Sequence, residues 1–125
     1  MRANQSREDY LKAVYSIRRE KGSCRSVQVA EHLGISKASV SKAVDKLTNE
    51  KLLQKQYDGQ LVLTKKGEEY ARFLEDRYEL LYRILLEIGV PEERADADAC
   101  NIEHSISQES YEKLNQWYIT KTNKK

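Results

Sequence analysis

The chain has little with which to build a disulfide-stapled, membrane-bound or secreted protein. Only two cysteines are present among 125 residues, Cys24 and Cys100. They lie too far apart in sequence to make a framework of crosslinks and read as reduced thiols. No apolar run approaches the roughly 20 residues that a helix needs to cross a bilayer, so no membrane partner is expected. The opening Met1-Arg-Ala-Asn-Gln-Ser6 has neither the apolar stretch nor the cleavage site of an export signal, and the expected location is the cytoplasm. Internal repeats are absent, and the polar tail Thr120-Lys-Thr-Asn-Lys-Lys125, expected to fray, is the one low-complexity stretch. Enzymatic chemistry also lacks its parts. A Cys100 nucleophile with His104 as base would need an orienting third group and an oxyanion site, and neither is evident, so no small-molecule substrate is expected.

What is present is concentrated between Ser26 and Leu47. Val27, Val29, Ala30 and Leu33 give a short helix one apolar side, and Gly34 follows as the residue able to take positive φ after the last turn. Ile35 fills the corner and Ser36 is placed to cap a second helix, along which Val40, Ala43, Val44 and Leu47 recur at inward-packing spacing. The opposite face carries Ser36, Lys37, Ala38, Ser39, Ser41 and Lys42. Short polar residues at the N-terminal end of the second helix of a helix-turn-helix are what a major groove admits. An ordinary helical hairpin with a solvated face is the alternative.

The next stretch favours DNA. Leu52–Gln56 and Gln60–Leu63 are strand-like runs about Tyr57-Asp58-Gly59, and Asp-Gly favours a tight hairpin. A hairpin directly after a recognition helix is a wing, with Lys55 placed to reach a phosphate. Residues 1–70 hold 14 Lys and Arg against 9 Asp and Glu, a balance of +5; residues 71–125 hold 8 against 11, a balance of −3. A basic half can lie on phosphates while an acidic half serves cations or partners.

Ser6 is expected to open a first helix to about Lys21, burying Tyr10, Leu11, Val14, Tyr15 and Ile17. Thr64 is expected to cap a long helix to about Ile88 with a seam of Phe73, Leu74, Leu81, Leu85 and Ile88. Gly89 ends it, Pro91 starts a helix to Ser105, and Ser107 caps a last one carrying Tyr111, Leu114, Trp117 and Tyr118. The expected fold is mostly α: a winged helix-turn-helix over residues 1–70 with a two-stranded wing, then an all-α dimerisation domain over residues 71–125. A homodimer would present two recognition helices roughly 34 Å apart to a palindromic operator in double-stranded DNA.

Cys100, Glu103 and His104 form the second informative cluster, since positions three and four apart share a helix face. Thiolate, carboxylate and imidazole together suit Fe(II), Co(II), Ni(II) or Zn(II) better than Mg(II) or Ca(II). A helix with one buried cysteine and an exposed Glu-His pair is the competing reading.

Four stretches in order, Ser6–Tyr15, Val29–Ser36, Leu61–Gly67 and Cys100–Ser107, resemble the metal-dependent repressors related to diphtheria toxin repressor and the manganese transport regulator. The resemblance implies a dimeric metal-activated transcriptional repressor of metal-ion homeostasis. It implies a primary metal site on Asp9, Cys100, Glu103 and His104, and DNA contacts from Ser36, Ala38, Ser39, Ser41 and Lys42. Two positions depart from the pattern: Lys12 stands where manganese-sensing relatives have a carboxylate, and Tyr78 where the family has a histidine. Both argue against a two-ion manganese-type site, although Asp96, one turn before Cys100, is available as a donor. With the thiol, they favour Fe(II) over Mn(II). The alternative is a winged-helix regulator that has lost its metal response. From the length, the small β domain of larger iron-dependent members is not expected.

Overall fold

The computed structural model describes residues 3–123, and their side chains from Arg7 onward. In chain order the elements are α1 (Ala3–Lys21), α2 (Ser26–Leu33), α3 (Lys37–Asn49), β1 (Leu53–Lys55), β2 (Leu61–Leu63), α4 (Lys65–Glu87), α5 (Glu92–Ile102) and α6 (Gln108–Thr122). They fall into two compact units that meet within α4, after Arg72.

The first unit is a helical bundle closed by a hairpin. α1 buries Leu11, Val14, Tyr15 and Ile17, with Tyr10 partly covered, and packs with Val29, Ala30, Val40, Val44 and Leu47 of α2 and α3. Gly34 takes φ 68° and ψ 39°, the left-handed conformation that a side chain disfavours, and its N–H returns to Ala30 O. The Ser36 hydroxyl accepts from the Ser39 N–H at 3.1 Å, which caps α3. β1 and β2 pair antiparallel with Leu53 opposite Leu63 and Lys55 opposite Leu61, and Leu53 and Leu61 turn into the core. The Thr64 hydroxyl accepts from the Gly67 N–H at 3.0 Å and starts α4.

Gly67 is required for a different reason. A Cβ there would lie 1.9 Å from the Leu52 carbonyl oxygen, so α4 can approach the turn between α3 and β1 only because this residue has no side chain.

In the second unit Leu74, Leu80 and Leu81 of α4 are buried, as are Ala95 and Ala99 of α5. Ser107 caps α6 by accepting from the Ser110 N–H at 3.1 Å. α6 itself buries no residue: Tyr111, Leu114 and Tyr118 are half covered and Trp117 is 50% exposed. Among the described residues no helix is long and apolar enough to cross a membrane.

Several expectations are corrected. α1 is already helical at Ala3, so Ser6 lies inside it instead of opening it. Val27 is 42% exposed because α2 is only two turns long and directs Val29 and Ala30 inward. In the α4 seam Phe73 and Ile88 are exposed, whereas Leu80 and the charged Arg77 are buried. α5 begins after Pro91, which stands at its N-cap, and stops at Ile102, three residues short of Ser105. The tail remains helical to Thr122, and Lys124 and Lys125 lie outside the described residues.

Candidate nucleic-acid interface and metal centre

The recognition face is built by two helices whose stop and start are fixed locally. Gly34 turns the chain and Ser36 begins α3, so that Val40, Val44 and Leu47 face the core. Ser36, Lys37, Ala38, Ser39, Ser41 and Lys42 are therefore all exposed on the other side. The Ser36 and Ser39 hydroxyls bond each other at 3.0 Å, which engages part of their hydrogen-bonding capacity before any base is met. Lys55 closes β1 and is exposed as well.

Sequence reasoning missed how firmly the wing tip is held. Arg25, just before α2, donates from Nη1 to the Asp58 carbonyl at 2.6 Å, and its backbone bridges Gln60. The Asp58 carboxylate accepts the Gln60 N–H at 3.1 Å, an Asx-type turn. Tyr57, at the tip, is fully exposed. The Asp-Gly signal located the turn, but a clamp from 33 residues away leaves no local trace.

The metal-type cluster is arranged less simply than helical spacing suggests. Cys100 is in α5 and half-buried, Glu103 is the C-cap residue, and His104 lies in the turn beyond it. The helix ends here because the Ser105 and Ile106 N–H groups both fold back onto Ile102 O at 2.9 Å. Glu103 and His104 are brought together, with Oε2 and Nε2 3.5 Å apart and side chains 0% and 3% exposed. Among the described residues no three His, Cys, Asp or Glu side chains gather closely enough to hold an ion as they stand. Asp9, the remaining candidate, is half-buried on α1 in the first unit.

The donor chemistry nevertheless fits a borderline divalent ion. A carboxylate fully withdrawn from water calls for positive charge nearby, and a neighbouring imidazole and a thiol one turn back are the ligand types such an ion accepts.

Tyr78 and Asp96 meet each other. The phenol donates to the Asp96 carboxylate and stacks on Tyr82 with ring centroids 5.6 Å apart. Burial pushes the Tyr78 phenol well above its usual range, and the bond to Asp96 adds to this, so a phenolate donor is disfavoured. Asp96 is engaged by this phenol.

Arg77 was missed altogether. At 2% exposure it lies 3.7 Å over the Phe73 ring and 4.5 Å from the Tyr111 ring, and Nη2 donates to Gln108 Oε1 at 2.6 Å. Burial lowers its pKa, opposed by Tyr111 and Glu112, yet a guanidinium stays charged. Its signal was the Phe73–Arg77 spacing of one helical turn, which on an exposed helix means nothing.

Comparison with known proteins matches two domains that divide just before α4. Residues 4–61 match the family described as iron dependent repressor, N-terminal DNA binding domain, and residues 64–118 match iron dependent repressor, metal binding and dimerisation domain. The chain is 41% identical over 110 residues to the HTH-type transcriptional regulator MntR of Bacillus subtilis (strain 168), covering 87% of this chain and 77% of that protein. Among solved structures, the manganese regulator SloR superposes with a TM-score of 0.81 at 29% identity. ScaR with bound Zn2+ superposes at 0.74 with 26% identity. Each alignment covers 90% of this chain and 53% of the other, so the chain spans about half the length of these structures.

Proposed function

The chain belongs to the iron-dependent repressor family, and from that premise we propose that it is a homodimeric, metal-activated repressor of metal-ion homeostasis genes, acting on palindromic operators in the cytoplasm. As a member of a family of DNA-binding regulators it is not an enzyme. The observation that carries the metal reading is the fully buried Glu103 carboxylate beside His104 at the end of α5.

Asp9, Cys100, Glu103 and His104 would hold a divalent ion, which when bound adds positive charge beside those acidic groups. Asp9 comes from the winged unit and the others from the helical unit, so holding one ion restrains both. Ser36, Lys37, Ala38, Ser39, Ser41 and Lys42 would lie in the major groove. The small side chains allow close approach to thymine methyls, and Lys42 and Lys55 reach acceptors or phosphates. Metal strengthens operator binding only as far as it favours the DNA-competent arrangement, typically about 1–3 kcal/mol of coupling.

The thiol of Cys100 and the ammonium of Lys12 in place of a second carboxylate favour Fe(II) over Mn(II) at a single site. The relatives above are named for manganese or hold Zn2+, so these ions are the competitors in the test.

That test is fluorescence anisotropy of a labelled palindromic fragment from upstream of the protein's own gene, at one salt concentration, with Fe(II), Mn(II) or chelator. Binding should tighten about 5- to 150-fold with metal. Asp9→Ala and His104→Ala should each remove the metal response and leave the chelator-state affinity in place. Equal binding of the wild type with metal and with chelator would reject the reading. It would support a regulator without metal response, which the Tyr78 bond to Asp96 favours.

A further inference from the structure

The start of α1 does more than carry a ligand candidate. Arg7, two residues before Asp9, donates from Nη1 to Glu50 Oε1 at 3.0 Å and from Nη2 to the Tyr70 hydroxyl at 3.4 Å. Its guanidinium lies 5.7 Å from the Tyr70 ring centroid. The Tyr70 hydroxyl donates in turn to the Glu8 carboxylate. Glu50 is the residue that ends the recognition helix, its N–H returning to Lys46 O, and Tyr70 is in the second turn of α4. Four side chains thus join α1, the C-terminal end of α3 and the start of α4.

The far side of this network is stiff. Lys51, after Glu50, is held at φ 64°, and its carbonyl accepts the Thr64 hydroxyl at 2.7 Å. The next carbonyl, that of Leu52, is the one against which Gly67 is seated. Movement of Arg7 therefore meets a fixed turn instead of being absorbed by a soft one. The electrostatics agree: burial lowers the Arg7 pKa, but its bond to Glu50 and the surrounding charges outweigh this, while burial and Glu8 push the Tyr70 phenol up to about 12.

We propose that Arg7, Glu8, Glu50 and Tyr70 are positioning residues that pass restraint at Asp9 to the C-terminal end of the recognition helix, and so set how much of metal binding reaches the DNA face. This rests on Asp9 being a ligand. None of the four need touch metal or DNA, and coupling of this kind is carried by contiguous networks that hold one arrangement or another.

The test uses the full chain and three readouts: ion affinity from competition with a fluorescent chelator, operator affinity in chelator, and operator affinity at saturating ion. The gating ratio is the last divided by the second. In Arg7→Met and in Glu50→Gln the ratio should fall about three- to tenfold while ion affinity changes by less than about twofold. The charge-reversed pair Arg7→Glu with Glu50→Arg should recover most of the loss. A bracing role alone would lower stability and leave the ratio unchanged, and that result overturns the proposal; so does a loss explained wholly by weaker ion binding. Absence of gating in the wild type would reject the metal reading itself, recognised because no ratio exists to lose, and gating that survives in Asp9→Ala would show that the reading of Asp9 has failed.

Discussion

Cys24 is sealed in the first unit at 0% exposure, and burial pushes its thiol from 9.0 up to about 11 against a smaller opposing pull from Arg18. The folded chain then holds the thiol proton more tightly than the unfolded chain. The stability this represents is complete below about pH 9 and is lost as pH rises towards about 11, to an extent of roughly 2–3 kcal/mol. Tyr70 acts in the same direction between pH 10 and about 12, so the comparison must isolate the thiol. Urea midpoints of wild type should fall faster with pH between 9 and 11 than those of Cys24→Ala; parallel curves would rule this out. Gly34 and the caps at Ser36, Thr64 and Ser107 were legible in sequence, because each acts within a few residues. The burial of Arg77 and Glu103 was not, since a charged side chain goes inside only where partners distant in sequence receive it. Gln108 and Tyr111 do this for Arg77.

At the scale of elements, helices and hairpin could be read from periodicity and turn residues, while their ends and their docking could not. The α5 cluster shows the limit: three-and-four spacing assumes a continuing helix, but the chain turns after Ile102 without a glycine or proline to announce it. Gly67 shows the other side. In sequence it is a weak point in a helix, and in the structure it is the contact that lets α4 start against Leu52. Gly67→Ala removes a residue of poor helix propensity, which alone would stabilise by roughly 1 kcal/mol. The clash with backbone should dominate and destabilise by about 3 kcal/mol or more. Equilibrium urea unfolding decides the sign, and a stabilised variant would mean the approach is not tight.

The whole chain is electrically divided, with the positive balance in the DNA-binding half and the negative balance in the half that carries most of the proposed metal ligands. That division was visible in the sequence because charge can be counted without knowing the fold. Lys55 makes it testable: Lys55→Ala should weaken binding to all DNA sequences alike and lower the slope of log affinity against log salt by about one. A loss confined to the operator would instead make Lys55 a reader of bases. The two cysteines are also divided, one to each compact unit, Cys24 fully covered and Cys100 half covered. The winged unit therefore carries its own clock. When opening is fast compared with labelling, the rate at which a reagent captures the Cys24 thiol, set against an unfolded peptide, measures how often the winged unit opens, with no probe added. Cys100, only half covered, can react without any opening, so its capture gives the rate of an accessible thiol in the same chain against which the protection of Cys24 is read.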